Sequence, residues 1–148
     1  LFLAGVVMAA AIALHNLPEG MVIGASYAAD LAEAGEDGRM MALVIGLHNI
    51  PEGMAVAVPL AAGGASRGRA VLTTAAAGAP TVLGAVLGFC LGTIGPGLQM
   101  LTLGGASGAM LYVVFGELLP ESFRLCRSPA PVMAAVLGVL TGMGVVLG

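Results

Sequence analysis

Five long apolar stretches, parted by short polar or helix-breaking segments, set the frame of this 148-residue chain. They cover about 1–29, 40–62, 70–94, 98–119 and 132–148. Between them lie "DLAEAGEDGR" (30–39), "GGASRGR" (63–69), "GPG" (95–97) and "PESFRLCRSPAP" (120–131). A helix needs about 20 mostly apolar residues to cross the hydrocarbon core of a bilayer, so the pattern predicts five membrane-spanning helices. The opening run "LFLAGVVMAAAIAL" lacks a basic leader and stays apolar past His15 to Ala29, which reads as a span rather than a secretory signal. Its abrupt start leads us to expect further sequence upstream.

Composition narrows the class. Hydrophobic residues make up 59% and charged residues 9%, with a mean hydropathy of +1.04. A soluble domain carries about a quarter charged residues. The fold class is therefore an all-α membrane protein, a multi-span helix bundle in which 1–148 forms one transmembrane domain. The 24 glycines suit close helix–helix approach in such a bundle. Five arginines, no lysine and a net charge of −3 give no basic surface for nucleic acid. With alternating spans, Arg67, Arg69, Arg124 and Arg127 fall on one side, and Arg39 falls on the other among Asp30, Glu33, Glu36 and Asp37. The excess of arginine places 63–69 and 120–131 in the cytoplasm. The chain then begins at the cytoplasmic face and its C-terminus is extracytoplasmic. Cys90 and Cys126 fall toward opposite faces, so packing is expected of them rather than a disulfide.

One polar element interrupts the apolar spans twice: "HNLPEG" at 15–20 and "HNIPEG" at 48–53. His15 with Glu19, and His48 with Glu52, stand four residues apart, on one face of each helix. Pro18 and Pro51 have no N–H for the carbonyls of Leu14 and Leu47, so Pro-broken helices are expected to line the site. The carboxamides of Asn16 and Asn49 extend the polar patch. Counted from the 30–39 loop, Glu19 and His48 lie roughly 15 Å deep at ~1.5 Å per residue, near the middle of a ~30 Å core. Because the two spans are antiparallel, His15 is level with Glu52 and Glu19 with His48. Two imidazoles and two carboxylates at the bilayer midplane would form a divalent cation site suited to Zn²⁺, Fe²⁺ or Mn²⁺. Helix-to-helix hydrogen bonding is the plainer role for one intramembrane histidine or asparagine. It does not account for two matched copies at one depth.

These residues resemble the ZIP family of divalent metal transporters, its bacterial branch in particular. The paired hexapeptides carry the likeness, with "HNIPEGMAVAVPL" (48–60) and "GAMLYVVFGELLPES" (108–122) beside them. The resemblance implies that the chain holds the C-terminal five of eight transmembrane helices. It implies metal ligation at a midplane centre by His15, Asn16, Glu19, His48, Asn49 and Glu52, with Glu19 and Glu52 as bridging ligands. Many relatives carry a further glutamate in the next span; here "GAPT" (78–81) puts Thr81 in that register and no acid in the span. One metal per chain is the resulting expectation. Glu117 and Glu121, again four apart and flanking Pro120, are candidates for a cytoplasmic exit site. Met21 and Met54, each two residues after a glutamate, are expected to pack.

The expected function is transport of divalent transition metal into the cytoplasm, zinc foremost and iron, manganese or cobalt as alternatives. The metal is the transported substrate, with no separate cofactor and no enzymatic activity. Partners are the metal ions and the lipid bilayer, with a homodimer left open, in the cell (inner) membrane. An intramembrane zinc protease would need His-Glu-x-x-His, and here Asn follows each histidine. A structural subunit with a closed zinc site would be rich in cysteine. No phosphate-binding Gly-x-x-x-x-Gly-Lys loop is present to couple ATP.

Overall fold

A computed structural model describes the backbone of residues 1–33 and 35–147, and the side chains there except at 32, 117, 118, 121, 125 and 145–147. The described chain is all-helical: α1 (Phe2–Glu33), α2 (Asp37–Ala62), α3 (Arg67–Ile94), α4 (Pro96–Val113), a π-helical turn (Val114–Leu118), α5 (Leu119–Leu125) and α6 (Ala130–Leu147). Among the described residues, Phe2–Leu31, Asp37–Ala62, Arg67–Ile94 and Pro96–Gly116 are long and apolar enough to cross a membrane. Ala130–Gly144 is a shorter apolar helix. Many large apolar side chains point outward, Leu14 and Leu83 among them. That arrangement suits a lipid solvent and would be costly in water.

The chain divides into two compact units, Leu1–Met110 and Leu111–Gly148. In the first, α1 is central and packs most extensively against α3, then against α2. Glycine makes the α1–α3 contact close. A Cβ on Gly20 would fall on the Thr81 carbonyl oxygen, and one on Gly84 would fall on that of Leu17. Gly24 and Gly88 repeat the pairing one turn further along, against Ala85 and Met21. Without a hydrophobic driving force in lipid, such backbone-to-backbone approach is what holds helices together. Two apolar clusters fill the interior of this unit. Ala9, Val56, Leu60, Ala70 and Ala77 join α1, α2 and α3. Val22, Ile45 and Ala106 join α1, α2 and α4, with Met21, Met41, Leu103 and Met110 against them.

Pro18 and Pro51 sit inside continuous α-helices. Each removes one hydrogen bond, and the turns on either side keep theirs, so the helices are weakened there without being interrupted. The turn between α1 and α2 is tied by Asp30, whose carboxylate accepts from the N–H of Asp37 at 2.9 Å and of Gly38 at 2.8 Å. Those are otherwise orphaned donors of the first turn of α2. In the second unit, α5 packs on the π-helical turn and on α6. The predicted span 98–119 thus changes hydrogen-bond pattern near its end. Pro120 cannot donate to Gly116 and its ring crowds that carbonyl; the N–H of Leu119 reaches back to the Val114 carbonyl, the wider bond of a π-turn.

Candidate metal centre

α1 and α2 bring their two polar faces together between the apolar clusters. His15 Nε2 lies 3.5 Å from Glu19 Oε1 and 3.7 Å from Glu52 Oε1. His48 Nε2 lies 3.4 Å from Glu19 Oε1 and 3.3 Å from Glu52 Oε1. The cross-helix levels expected from depth counting are those found. All four ligand atoms lie within 4.8 Å of one another. Neutral N–H···O bonds cluster near 2.9–3.0 Å, and these four separations are longer. They are instead close to the ~3.3 Å between neighbouring donors on one ion with metal–ligand bonds of about 2.0–2.1 Å.

The electrostatics point the same way. Glu19 is 1% exposed, and among the described residues the ion-pair partners of Glu19 and Glu52 are the two histidines. Neutral imidazoles leave two carboxylates without a counter-charge in a poorly solvated place, which is strongly unfavourable. A dication among the four atoms would supply that charge, and imidazole with carboxylate is a donor set for zinc and its neighbours.

The two asparagines stand beside this cluster in different settings. Asn16 is buried, and its Nδ2 donates to the Ala77 carbonyl of α3 at 2.9 Å. Its Oδ1 is buried and finds no partner among the described residues, as is true of Glu52 Oε2 and Thr81 Oγ1. Asn49, with its carboxamide nitrogen facing the acceptors around it, donates to Glu19 Oε2 at 3.0 Å and to the Ile45 carbonyl at 3.3 Å. Asn16, Asn49, Glu52 and Thr74 help to line a cavity of about 80 Å³ between α1, α2 and α3. That is room for a few water molecules.

Other candidates are placed as follows. The side chains of Glu117 and Glu121 lie outside the described residues; their backbone belongs to the π-helical turn and to α5. Met21 packs on the Val22–Ile45–Ala106 cluster, whereas Met54 is exposed. Both cysteines are free and exposed, and Cys90 borders an apolar cavity between α1 and α3. Sequence reasoning missed the work of the motif glycine. Gly20 lets the α3 backbone reach Glu19's turn, and the signal for it was present as Gly20-x-x-x-Gly24 and Gly84-x-x-x-Gly88. It also missed Asp30, grouped with the loop acids but committed to the start of α2.

Comparison with known proteins places the chain in a family. The zinc transporter GufA of Myxococcus xanthus is 40% identical over 114 residues, which are 77% of this chain and 44% of that relative. The chain thus spans less than half the length of the curated relative it matches. No solved structure matches it. The family model described as ZIP zinc transporter matches residues 1–148, both hexapeptides included. With that match running from end to end over a helix bundle built around paired histidines and glutamates, the chain belongs to the ZIP zinc transporter family.

Proposed function

We propose that this chain forms part of a secondary transporter that carries divalent transition metal, zinc foremost, into the cytoplasm. The supporting observation is the spacing of His15, Glu19, His48 and Glu52, four donors from two antiparallel helices with ligand atoms all within 4.8 Å of one another. The ion enters from outside, sheds water to these ligands at the bilayer midplane, and leaves when the surrounding helices rock toward the cytoplasmic side. Asn16 and Asn49 complete the polar surround of the centre. Glu117 and Glu121 serve the exit at the cytoplasmic end of their span. The arginines of 63–69 and 120–131 set the orientation in the inner membrane, with the C-terminus outside. Affinity order and biological selection differ among Zn²⁺, Fe²⁺, Mn²⁺ and Co²⁺, and zinc is preferred here because the similar GufA is described as a zinc transporter.

The test is uptake of radiolabelled zinc into vesicles holding the full-length parent protein. Glu19→Ala and Glu52→Ala should each abolish most of the uptake at zinc concentrations that leave the wild type half-saturated. Uptake unchanged in both variants would sink the proposal.

A further inference from the structure

The two hexapeptides are nearly identical, yet their asparagines act on different partners. Asn16 turns its Nδ2 to α3 and donates to the Ala77 carbonyl. Asn49 turns its Nδ2 to α1, toward Glu19 Oε2 at 3.0 Å, and also meets the Ile45 carbonyl one turn back on its own helix at 3.3 Å. The opposite orientation would set an amide oxygen against two acceptors, so the hydrogen-bond chemistry selects the donor. Glu19 is therefore engaged at both oxygens. Oε1 lies 3.5 and 3.4 Å from the two imidazole nitrogens, and Oε2 is held from behind. Glu52 differs: its Oε1 faces the same imidazoles, while its Oε2 is buried with no partner among the described residues.

We infer that Asn49 is a positioning residue of the metal centre, its amide holding Glu19 by Oε2 so that Glu19 offers Oε1 alone to the ion. This rests on reading the four-residue cluster as the metal site. The Ile45 carbonyl fixes the Asn49 rotamer, and Glu19 itself is buried. Glu19 is then a rigid one-oxygen ligand rather than a bridging one, and Glu52 is the carboxylate with a second oxygen to spare. Partners behind a ligand commonly contribute about 10–100-fold in metal affinity.

The experiment titrates Zn²⁺ into the purified full-length parent and into its Asn49→Ala, Glu19→Ala and doubly substituted forms. Asn49→Ala should weaken zinc binding by about 10–100-fold. In the Glu19→Ala background the same change should alter the dissociation constant less than about twofold, because the group it acts on is gone. A structural residue acting independently of Glu19 would cost the same factor in both backgrounds, which overturns the assignment. Wild-type affinity in Asn49→Ala overturns it as well. Wild-type affinity in Glu19→Ala overturns the metal-centre reading itself. Where the Glu19→Ala forms bind too weakly to titrate, the infrared difference spectrum on adding zinc decides. In Asn49→Ala the separation of the antisymmetric and symmetric carboxylate stretches should narrow, as Glu19 becomes free to bind through both oxygens. An unchanged separation overturns the assignment.

Discussion

Gly20→Ala places one methyl group where α1 and α3 are closest. The new Cβ would fall on the Thr81 carbonyl oxygen, with the Thr81 carbonyl carbon and the Ala85 nitrogen at 2.8 Å, whereas ordinary contact begins at 3.4 Å. All three neighbours are backbone atoms, so no side chain can swing aside. The helices must part by at least ~0.6 Å, and a gap of about 0.5–1 Å forfeits a quarter to a half of each dispersion contact. Overpacking of this kind costs about 1–3 kcal/mol, or a fall in Tm on the order of 5 °C. The displacement also moves Glu19, the preceding residue, by about the tolerance of a binding constellation, ~0.5 Å. Zinc affinity should fall roughly tenfold, equivalent to about 1.4 kcal/mol. Thermal unfolding of the full-length parent in detergent, followed by zinc titration, measures both effects. Gly68→Ala is the control: a Cβ there meets nothing within 4 Å, and the helix should gain up to about 1 kcal/mol. Equal stability and zinc affinity for Gly20→Ala and wild type would refute the close α1–α3 contact.

Zinc binding should release protons and weaken in acid, because an imidazole must be neutral to ligate; the zinc dissociation constant, measured across pH, should rise as the pH falls, and a pH-independent constant would count against ligation by imidazole. Asp30→Ala removes the carboxylate that accepts from Asp37 and Gly38; a loss of about 0.5–2 kcal/mol is expected, read as a lower Tm with the zinc dissociation constant unchanged.

Four of the five expected spans and the main cluster were legible because both follow from counting; the fifth, expected at 132–148, is a shorter apolar helix among the described residues. Apolar length defines the helices, and rise per residue is enough to set His15 level with Glu52 and Glu19 level with His48. What was not legible depends on the third helix. Asn16 and Asn49 sit in the same local sequence, and only the neighbour each one meets, Ala77 of α3 or Glu19 of α1, separates their roles. Thr81 stands in the register where many relatives carry an acid. Its carbonyl turns out to be the surface against which Gly20 packs, and its hydroxyl is buried with no partner among the described residues. The π-turn before Pro120 escaped for a different reason. Apolar periodicity registers the presence of a span and is blind to whether its carbonyls bond four or five residues on.

Anomalous scattering at the zinc edge, from crystals of the full-length parent grown with zinc, tests the central claim most directly. The expected result is one strong peak among His15 Nε2, His48 Nε2, Glu19 Oε1 and Glu52 Oε1, about 2.0–2.2 Å from each. Zinc located elsewhere in the bundle, with that position empty, would contradict it.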